Sequence, residues 1–311
     1  MALHLGIDTS AYTTSVALYD DEKKEYTQKQ KVLTVKAGER GLRQSEAVFQ
    51  HNKNLPELLS FFRGVLKKVS TVNVSAWPRR TPGSYMPVFT VGAGYGSAIA
   101  TALDVPFQIF SHQEGHVMAA FYGCEELPES FFALHLSGGT TELLEVQRTS
   151  GQMHIEKIGG TMDLNFGQLI DRIGVSLGYP FPCGKHMDQE KTAQGDWKKI
   201  RVKLSEELQF NISGLENKIS ALPADQQIPV LFQTIGALIK DWVTAAQKKY
   251  GVHPVVISGG VAANSVIRRM LADQSIRFAP VELASDNAVG ISMLGVQTER
   301  RISCKSSQYH N

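Results

Sequence analysis

Leu3-His4-Leu5-Gly6-Ile7-Asp8-Thr9-Ser10-Ala11-Tyr12-Thr13-Thr14-Ser15-Val16-Ala17-Leu18-Tyr19 is the stretch on which the fold turns. Leu3 to Ile7 is a short apolar run. Asp8 to Thr13 is a polar turn rich in hydroxyls and carrying one carboxylate, and Thr14 to Tyr19 resumes as a β-branched run. Short runs of this kind bounded by turn chemistry predict a hairpin. A third strand is expected over Tyr26 to Val35. The pattern returns in mid-chain: Phe132 to Leu136 is apolar, Ser137-Gly138-Gly139-Thr140-Thr141 is a small polar turn, and Glu142 to Val146 is a strand again. Two strand–turn–strand units predict a duplicated lobe.

Around these hairpins the apolar spacing is helical. Ser45 to Lys68 carries Val48, Phe49, Leu55, Leu58, Leu59 and Phe62 near a 3.6 period, with Pro56 expected to split it. Further helices are predicted over Val91 to Leu103, His112 to Tyr122, Asn165 to Leu177, Lys185 to Thr192, Val230 to Lys249, Val261 to Leu271 and 287–300. Val255-Val256-Ile257 reads as a short buried strand. Strands alternating with helices indicate α/β architecture. The expected division is a first lobe over residues 1–115, with the final helix packing back on it, and a second lobe with a helical insertion over 116–286.

Composition narrows the functional classes. Of 311 residues, 42% are apolar and 20% charged, an ordinary globular balance. No apolar run approaches the length of a membrane span, and the N-terminus lacks the basic region of a signal peptide. Three cysteines, Cys124, Cys183 and Cys304, form no disulfide framework and lack metal-ligand spacing, which together suit a reducing, cytoplasmic setting. With 32 Lys and Arg against 30 Asp and Glu, the net charge of +2 supplies no strong field for steering a polyanion. Local basic clusters exist nonetheless: Lys23-Lys24, Lys67-Lys68, Arg79-Arg80, Arg268-Arg269, Arg300-Arg301 and, most extended, Lys198-Lys199-x-Arg201-x-Lys203.

Five motifs carry chemistry. His112 and His116 stand at i and i+4, on one helix face, where two imidazoles can converge on one ion. The zincin motif places Glu directly after the first His; here that position is Gln113, and Glu114 comes one residue later, which argues against a metallopeptidase. The Ser137-Gly138-Gly139 turn either cradles phosphate or acyl oxygens with its backbone N–H groups or is an ordinary tight hairpin. Ser258-Gly259-Gly260-Val261-Ala262-Ala263-Asn264 follows a buried strand and opens a helix, a geometry that faces an anion or serves strand–helix packing. Asn264 is expected about one turn inside that helix, in reach of a ribose or base. Asp163 and Asp171 lie on the Asn165 helix or just before it, and Asp171 and Asp188 flank a Gly- and Pro-rich turn, Gly178 to Gly184; these carboxylates serve as acceptors for sugar hydroxyls or as helix caps. In Ser285-Asp286-Asn287, Ser285 reads as an N-cap, and Asp286 as a second cap or a third ligand for an ion held by the histidines.

Taken in order, Gly6 to Ser10, Pro82-Gly83-Ser84-Tyr85 with Val91-Gly92, His112/His116, Ser137 to Gly139, Asp171, Gly184 with Asp188, Phe210-Asn211-Ile212-Ser213-Gly214-Leu215, Ser258 to Asn264 and Ser285-Asp286-Asn287 resemble the TsaD-like family of tRNA threonylcarbamoyladenosine synthases, once called glycoproteases. The resemblance covers nearly the whole chain. It implies an actin-like, sugar-kinase-like ATPase fold: two lobes with duplicated ribonuclease-H-like cores around a cleft. It implies one divalent metal ion, iron or zinc, held by residues matching His112, His116 and Asp286. It further implies ATP or threonylcarbamoyl-AMP held by residues matching Ser137, Gly138, Gly139, Asp171, Gly184, Asp188 and Asn264. The implied reaction transfers threonylcarbamoyl from its adenylate to the exocyclic amine of adenosine in tRNA. The implied partners are tRNA, a smaller paralogue of the same fold and an ATPase accessory protein, with neither membrane nor DNA. No catalytic side chain is assigned, because the chemistry requires no side-chain nucleophile.

The chain departs from the family pattern at identifiable points. The first turn of the family reads Cys-Asp-Glu-Thr where this chain has Ala11-Tyr12-Thr13-Thr14. His after the Gly pair is replaced by Thr140, and Lys after Ser-Gly-Leu by Glu216. A family segment with an acidic residue ahead of a His is only loosely echoed at Gln44-Ser45-Glu46 to His51. These changes keep a second reading open: a diverged metal- and nucleotide-binding paralogue with another acceptor or a regulatory role.

Overall fold

The computed structural model describes residues 2–10, 12–35, 42–124, 126–149, 152–190, 196–272, 276–285 and 287–296. The chain divides into two compact units, Met1–Glu125 with Asp286–Asn311, and Glu126–Ser285. The division therefore falls after Glu125 and not at 115/116, a cut that would pass through the continuous helix His112–Ala119.

In the first unit, β1 (Leu3–Asp8), β2 (Thr13–Asp20), β3 (Glu25–Val32), β4 (Val69–Trp77) and β5 (Phe107–Ser111) form a sheet in the order β3-β2-β1-β4-β5. β1 runs antiparallel to β2 and parallel to β4, with Asp8 opposite Ser15. Every residue of β1 and β2 is buried, as expected of central strands covered on both faces. Among the described residues α1 (Gln44–Ser60) and α2 (Phe89–Leu103) are the long helices of the first unit. Leu55, Leu58 and Leu59 of α1 share one core with Leu5, Ile7, Val16, Val72 and Val74. Pro56 lies inside α1 without breaking it, and the helix stops at Ser60, short of the expected Lys68. α3 (His112–Ala119) follows β5 directly. A further helix over residues 289–296 belongs to the same unit and begins where the Ser15 hydroxyl accepts the Ala288 N–H at 3.0 Å.

The second unit repeats the wiring. β6 (Ser130–Leu136), β7 (Thr141–Thr149), β8 (Gln152–Thr161), β10 (Val255–Ser258) and β11 (Ile276–Phe278) lie in the order β8-β7-β6-β10-β11, with the short β9 (Gln209–Phe210) added beside β8. β6 is antiparallel to β7 and parallel to β10. The order and the senses match the first sheet strand for strand, so the duplication expected from the two hairpins is present in the topology. α4 (Phe166–Ser176), the one-turn α5 (Gly184–Met187), α6 (Ser213–Ser220), the long α7 (Ala224–Tyr250) and α8 (Ser265–Met270) complete this unit. Their apolar faces meet in one core that includes Phe166, Ile173, Phe232, Ile239 and Trp242. Among the described residues no helix is long and apolar enough to cross a membrane.

Candidate active site

In the first unit the site grows from the ends of neighbouring strands. β1 delivers Asp8, fully buried. The Ser75 hydroxyl at the end of β4 donates to Asp8 Oδ1, and the Ser10 hydroxyl donates to Oδ2 at 2.7 Å. β5 runs into α3, which places His112 with Nδ1 at 3.1 Å from Asp8 Oδ1. A buried carboxylate accepts there, so Nδ1 carries the proton and the Nε2 lone pair of His112 is turned outward. That nitrogen lies 2.9 Å from Nε2 of His116. Two ring nitrogens this close share either a proton or a cation. Two zinc–nitrogen bonds of about 2.1 Å at a tetrahedral angle would set the nitrogens roughly 3.4 Å apart, so at 2.9 Å the pair is spaced as a hydrogen bond and would have to open slightly to hold an ion. Asp286, the expected third ligand, lies outside the described residues. Among the described residues no set of three or more His, Cys, Asp or Glu side chains is arranged to hold an ion.

The start of α3 is locked by a capping box. Glu114 Oε2 accepts from the Ser111 N–H and hydroxyl, both at 2.7 Å, and Ser111 Oγ accepts the Glu114 N–H at 3.2 Å. The Arg80 guanidinium spans the same carboxylate at 3.3 Å. Glu114 is thereby committed to holding the helix, with no water-activating role left for it. Gly115 is a point of close approach: a β-carbon there would stand 2.8 Å from Ile291 Cδ1, on the 289–296 helix. The cap of that helix is Asn287, whose Oδ1 accepts the N–H groups of Val289 and Gly290, where the sequence suggested Ser285. Behind Asp8, His51 is fully buried and bonded through Nδ1 to Thr14 Oγ1 at 2.9 Å. Burial pushes its pKa down, against the opposing pull of the Asp8 charge.

In the second unit Ser137, Gly138 and Gly139 follow the carboxyl end of β6 and Asn264 lies beyond that of β10, where the strand order reverses direction, a common ligand position in open α/β sheets. The Ser137–Thr140 turn is closed by the Ser137 N–H donating to Thr140 O at 2.7 Å, and it leaves Gly138 and Gly139 exposed. It rests on the start of α4. The Gly167 N–H donates to Ser137 O, and a β-carbon on Gly167 would come within 2.7 Å of Gly138 Cα. Gly259, at φ +95°, has its missing β-carbon aimed at the Leu136 carbonyl, which brings the second glycine turn beside the first.

Asp171 holds the loop between α4 and α5, and Asp188, just after α5, holds the start of α8. Asp171 Oδ1 accepts the Cys183 N–H at 2.7 Å, which fixes the turn leading to Gly184. Burial raises the Asp171 pKa despite that bond, and burial beside Asp171 also raises the Cys183 thiol. Asp188 Oδ1 accepts from Asn264 Nδ2 at 2.8 Å, the Ser265 N–H at 2.9 Å and the Ser265 hydroxyl at 2.8 Å. Asn264 Oδ1 in turn accepts the Ile267 N–H. Asn264 is thus the N-cap of α8 and not a residue one turn inside it; a 3₁₀ turn over Gly260–Ala263 precedes it. The anion at this helix start is the carboxylate of Asp188.

Asp163 is a cap as well. Its carboxylate accepts from Ile212 N at 2.9 Å and Ser213 N at 3.0 Å, at the start of α6, and from Leu164 N at 2.6 Å. Burial works to raise its pKa, but the Ser213 side chain and these backbone donors outweigh it and hold the group down to about 2. Glu216, where the family pattern has Lys, lies 2.9 Å from Arg172 Nη1, next in sequence to Asp171.

Residues 24–293 match the model of the family TsaD: tRNA N6-adenosine threonylcarbamoyltransferase. A relative of that name from Sulfurihydrogenibium sp. is 30% identical over 94% of this chain and 89% of its own length. Another, from Thermotoga neapolitana, is 29% identical over 96% and 94%. Among solved structures, HypF of T. kodakarensis superposes with a TM-score of 0.58 at 14% identity, covering 96% of this chain and 48% of that one. Component A of Acidaminococcus fermentans (R)-2-hydroxyglutaryl-CoA dehydratase gives 0.53 at 15% identity, covering 96% and 99%. A sugar-kinase-like protein from Cytophaga hutchinsonii gives 0.50 at 13%, covering 95% and 100%. These likenesses fix the fold as actin-like and sugar-kinase-like. With the family model spanning most of its length, the chain belongs to the TsaD family of tRNA N6-adenosine threonylcarbamoyltransferases.

Proposed function

We propose that this chain transfers a threonylcarbamoyl group from its adenylate to the exocyclic amine of an adenosine in tRNA. Beside family membership, one observation carries the reading: the 2.9 Å approach of the His112 and His116 ring nitrogens, with Asp8 fixing the far side of His112. In the reaction the amine nitrogen attacks the carbamoyl carbon. The bond from that carbon to the phosphate oxygen breaks, AMP leaves with the electron pair, and the amine gives up a proton.

Each group of residues has a task in that scheme. His112, His116 and Asp286 would hold a divalent ion, iron or zinc, which when bound supplies Lewis acidity toward carbamoyl or phosphate oxygens. The exposed backbone of Gly138 and Gly139, with Ser137, binds the phosphate and stabilises charge as it leaves. Asp171, bonded to Cys183 through one oxygen, accepts ribose hydroxyls through the other. Gly184, Asp188 and Asn264 shape the adenosine pocket by fixing the start of α8. Orientation of donor against acceptor does the rest. Action on tRNA places the work in the cytoplasm, with a smaller paralogue of the same fold and an ATPase accessory protein as partners.

A second reading, a metal- and nucleotide-binding paralogue with another acceptor or a regulatory role, is favoured by the first hairpin turn. Thr14, beside the missing carboxylates, is spent on His51. The deciding experiment is reconstitution with threonylcarbamoyl-adenylate, unmodified tRNA and the partner proteins. Modified adenosine in the product supports the transferase. Its absence, with metal and nucleotide still bound, supports the second reading.

A further inference from the structure

The basic run Lys198-Lys199-x-Arg201-x-Lys203 belongs to an extended segment that lies along α7. Trp197 N donates to Gln233 Oε1 and Ile200 N to Thr234 Oγ1, both at 3.0 Å. Both acceptors are buried polar side chains of α7, so the helix carries built-in fastenings for this strap. Farther on, Trp242 Nε1 donates to Leu208 O and Lys249 Nζ to Glu206 O, each at 2.9 Å. Trp197, Ile200, Val202 and Leu204 pack against the core of the unit, while Lys198, Lys199, Arg201 and Lys203 are exposed. The two-residue alternation of a strand is therefore present without a sheet partner among the described residues. Lys199 is paired with Asp196 at 2.5 Å, and Glu206 and Glu207 close the far end. Between Asp196 and Glu206 there is no acidic residue.

We infer that this strap is a contact surface for the phosphate backbone of RNA. An extended chain advances about 3.3 Å per residue, so Lys199, Arg201 and Lys203 present cations about 6.6 Å apart along one line. That step is comparable to the spacing of successive phosphates on a nucleic-acid strand. A fixed row of this kind reads a regular polyanion without reading sequence. A solvated cluster would need no buried side-chain anchors beneath it. With a net charge of only +2, the chain has no general attraction for polyanions, and a local row must supply it. The inference rests on the tRNA-directed reading above and names where the substrate backbone would lie.

The experiment measures binding of an unmodified tRNA transcript to the full chain by fluorescence anisotropy across a salt series. The variant Lys199→Ala/Arg201→Ala/Lys203→Ala is compared with Lys23→Ala/Lys29→Ala/Lys31→Ala, which removes the same charge from the first unit. The strap variant is expected to bind on the order of tenfold more weakly and to lower the salt slope by about 2 to 3. Arg201→Lys alone should bind as the native chain does. Equal loss in both triple variants, no loss in the strap variant, or no tRNA binding by the native chain would overturn the inference. So would tighter binding of a polyglutamate peptide than of tRNA through the same residues. Transfer activity is read separately. Activity with strap-independent binding rejects the surface and leaves the function standing, and strap-dependent binding without transfer does the reverse.

Discussion

Asp8 Oδ1 and His112 Nδ1 lie 3.1 Å apart although 104 residues separate them, and the carboxylate is wholly buried while the imidazole reaches partly into solvent. The bond makes Asp8 the tautomer-setting partner of a candidate metal ligand. Asp8→Asn keeps the shape and removes the charge. It is expected to weaken zinc affinity by roughly 10- to 100-fold, measured by competition with a chromophoric chelator, with cooperative melting retained. Native affinity in that variant would show that His112 is oriented by something else.

His116→Ala removes one of two converging nitrogens and should abolish stoichiometric metal uptake, read by elemental analysis after gel filtration. The fold should still melt in one transition, because the neighbouring apolar core of β1, β2, β4 and α1 does not include the side chain. Undiminished metal content would remove the ligand assignment.

Asp163 is held at a pKa of about 2, below the ordinary 3.8, because the Ser213 side chain and the backbone N–H groups of Ile212, Ser213 and Leu164 together outweigh its partial burial. A lowered carboxylate contributes stability that is fully present above pH about 4 and fades as the pH falls toward 2. Asp163→Ala should cost about 1 kcal/mol in urea unfolding at pH 7, and the gap from the native chain should shrink by pH 2.5. A gap that does not change with pH would mean the cap is not charge-assisted.

Gly167→Ala puts a methyl group within 2.7 Å of the Gly138 backbone. Displacing the Ser137–Thr140 turn should cost about 1 to 3 kcal/mol of stability and weaken ATP binding severalfold by calorimetry. Loss of stability with unchanged ATP affinity would detach this turn from the nucleotide.

Arg172 and Glu216 form a largely exposed pair, so breaking it should change stability by less than about 1 kcal/mol. Glu216→Lys, which restores the family's charge, should instead tighten ATP binding in a salt-sensitive way. Unaltered affinity at low ionic strength would place the pair away from the nucleotide.

Both hairpins, the glycine turns and the long α7 were legible because their signals are local. β4 was not: Val69 to Trp77 follows directly on a helical pattern, and its polar Thr71, Asn73 and Ser75 interrupt the apolar run although they are buried. β8 and β5 carry exposed and mixed residues near sheet edges, where burial imposes little pattern. At the site, the histidine spacing showed itself. The partners that orient or cap did not, since Asp8 reaches His112, Asp163 reaches Ile212 and Asp188 reaches Asn264 across long stretches of chain. One signal was available: Ser111-x-x-Glu114 is a capping-box sequence and accounts for Glu114 without catalysis.

The strand order β3-β2-β1-β4-β5 recurs as β8-β7-β6-β10-β11, so the links β1–β2 and β6–β7 are counterparts. Tyr12 and Thr140, two of the places where this chain abandons the family spelling, occupy those counterpart links. Both links are tips whose flanking ladders are carried by backbone groups, so the repeated scaffold takes different side chains there without a change in its pairing.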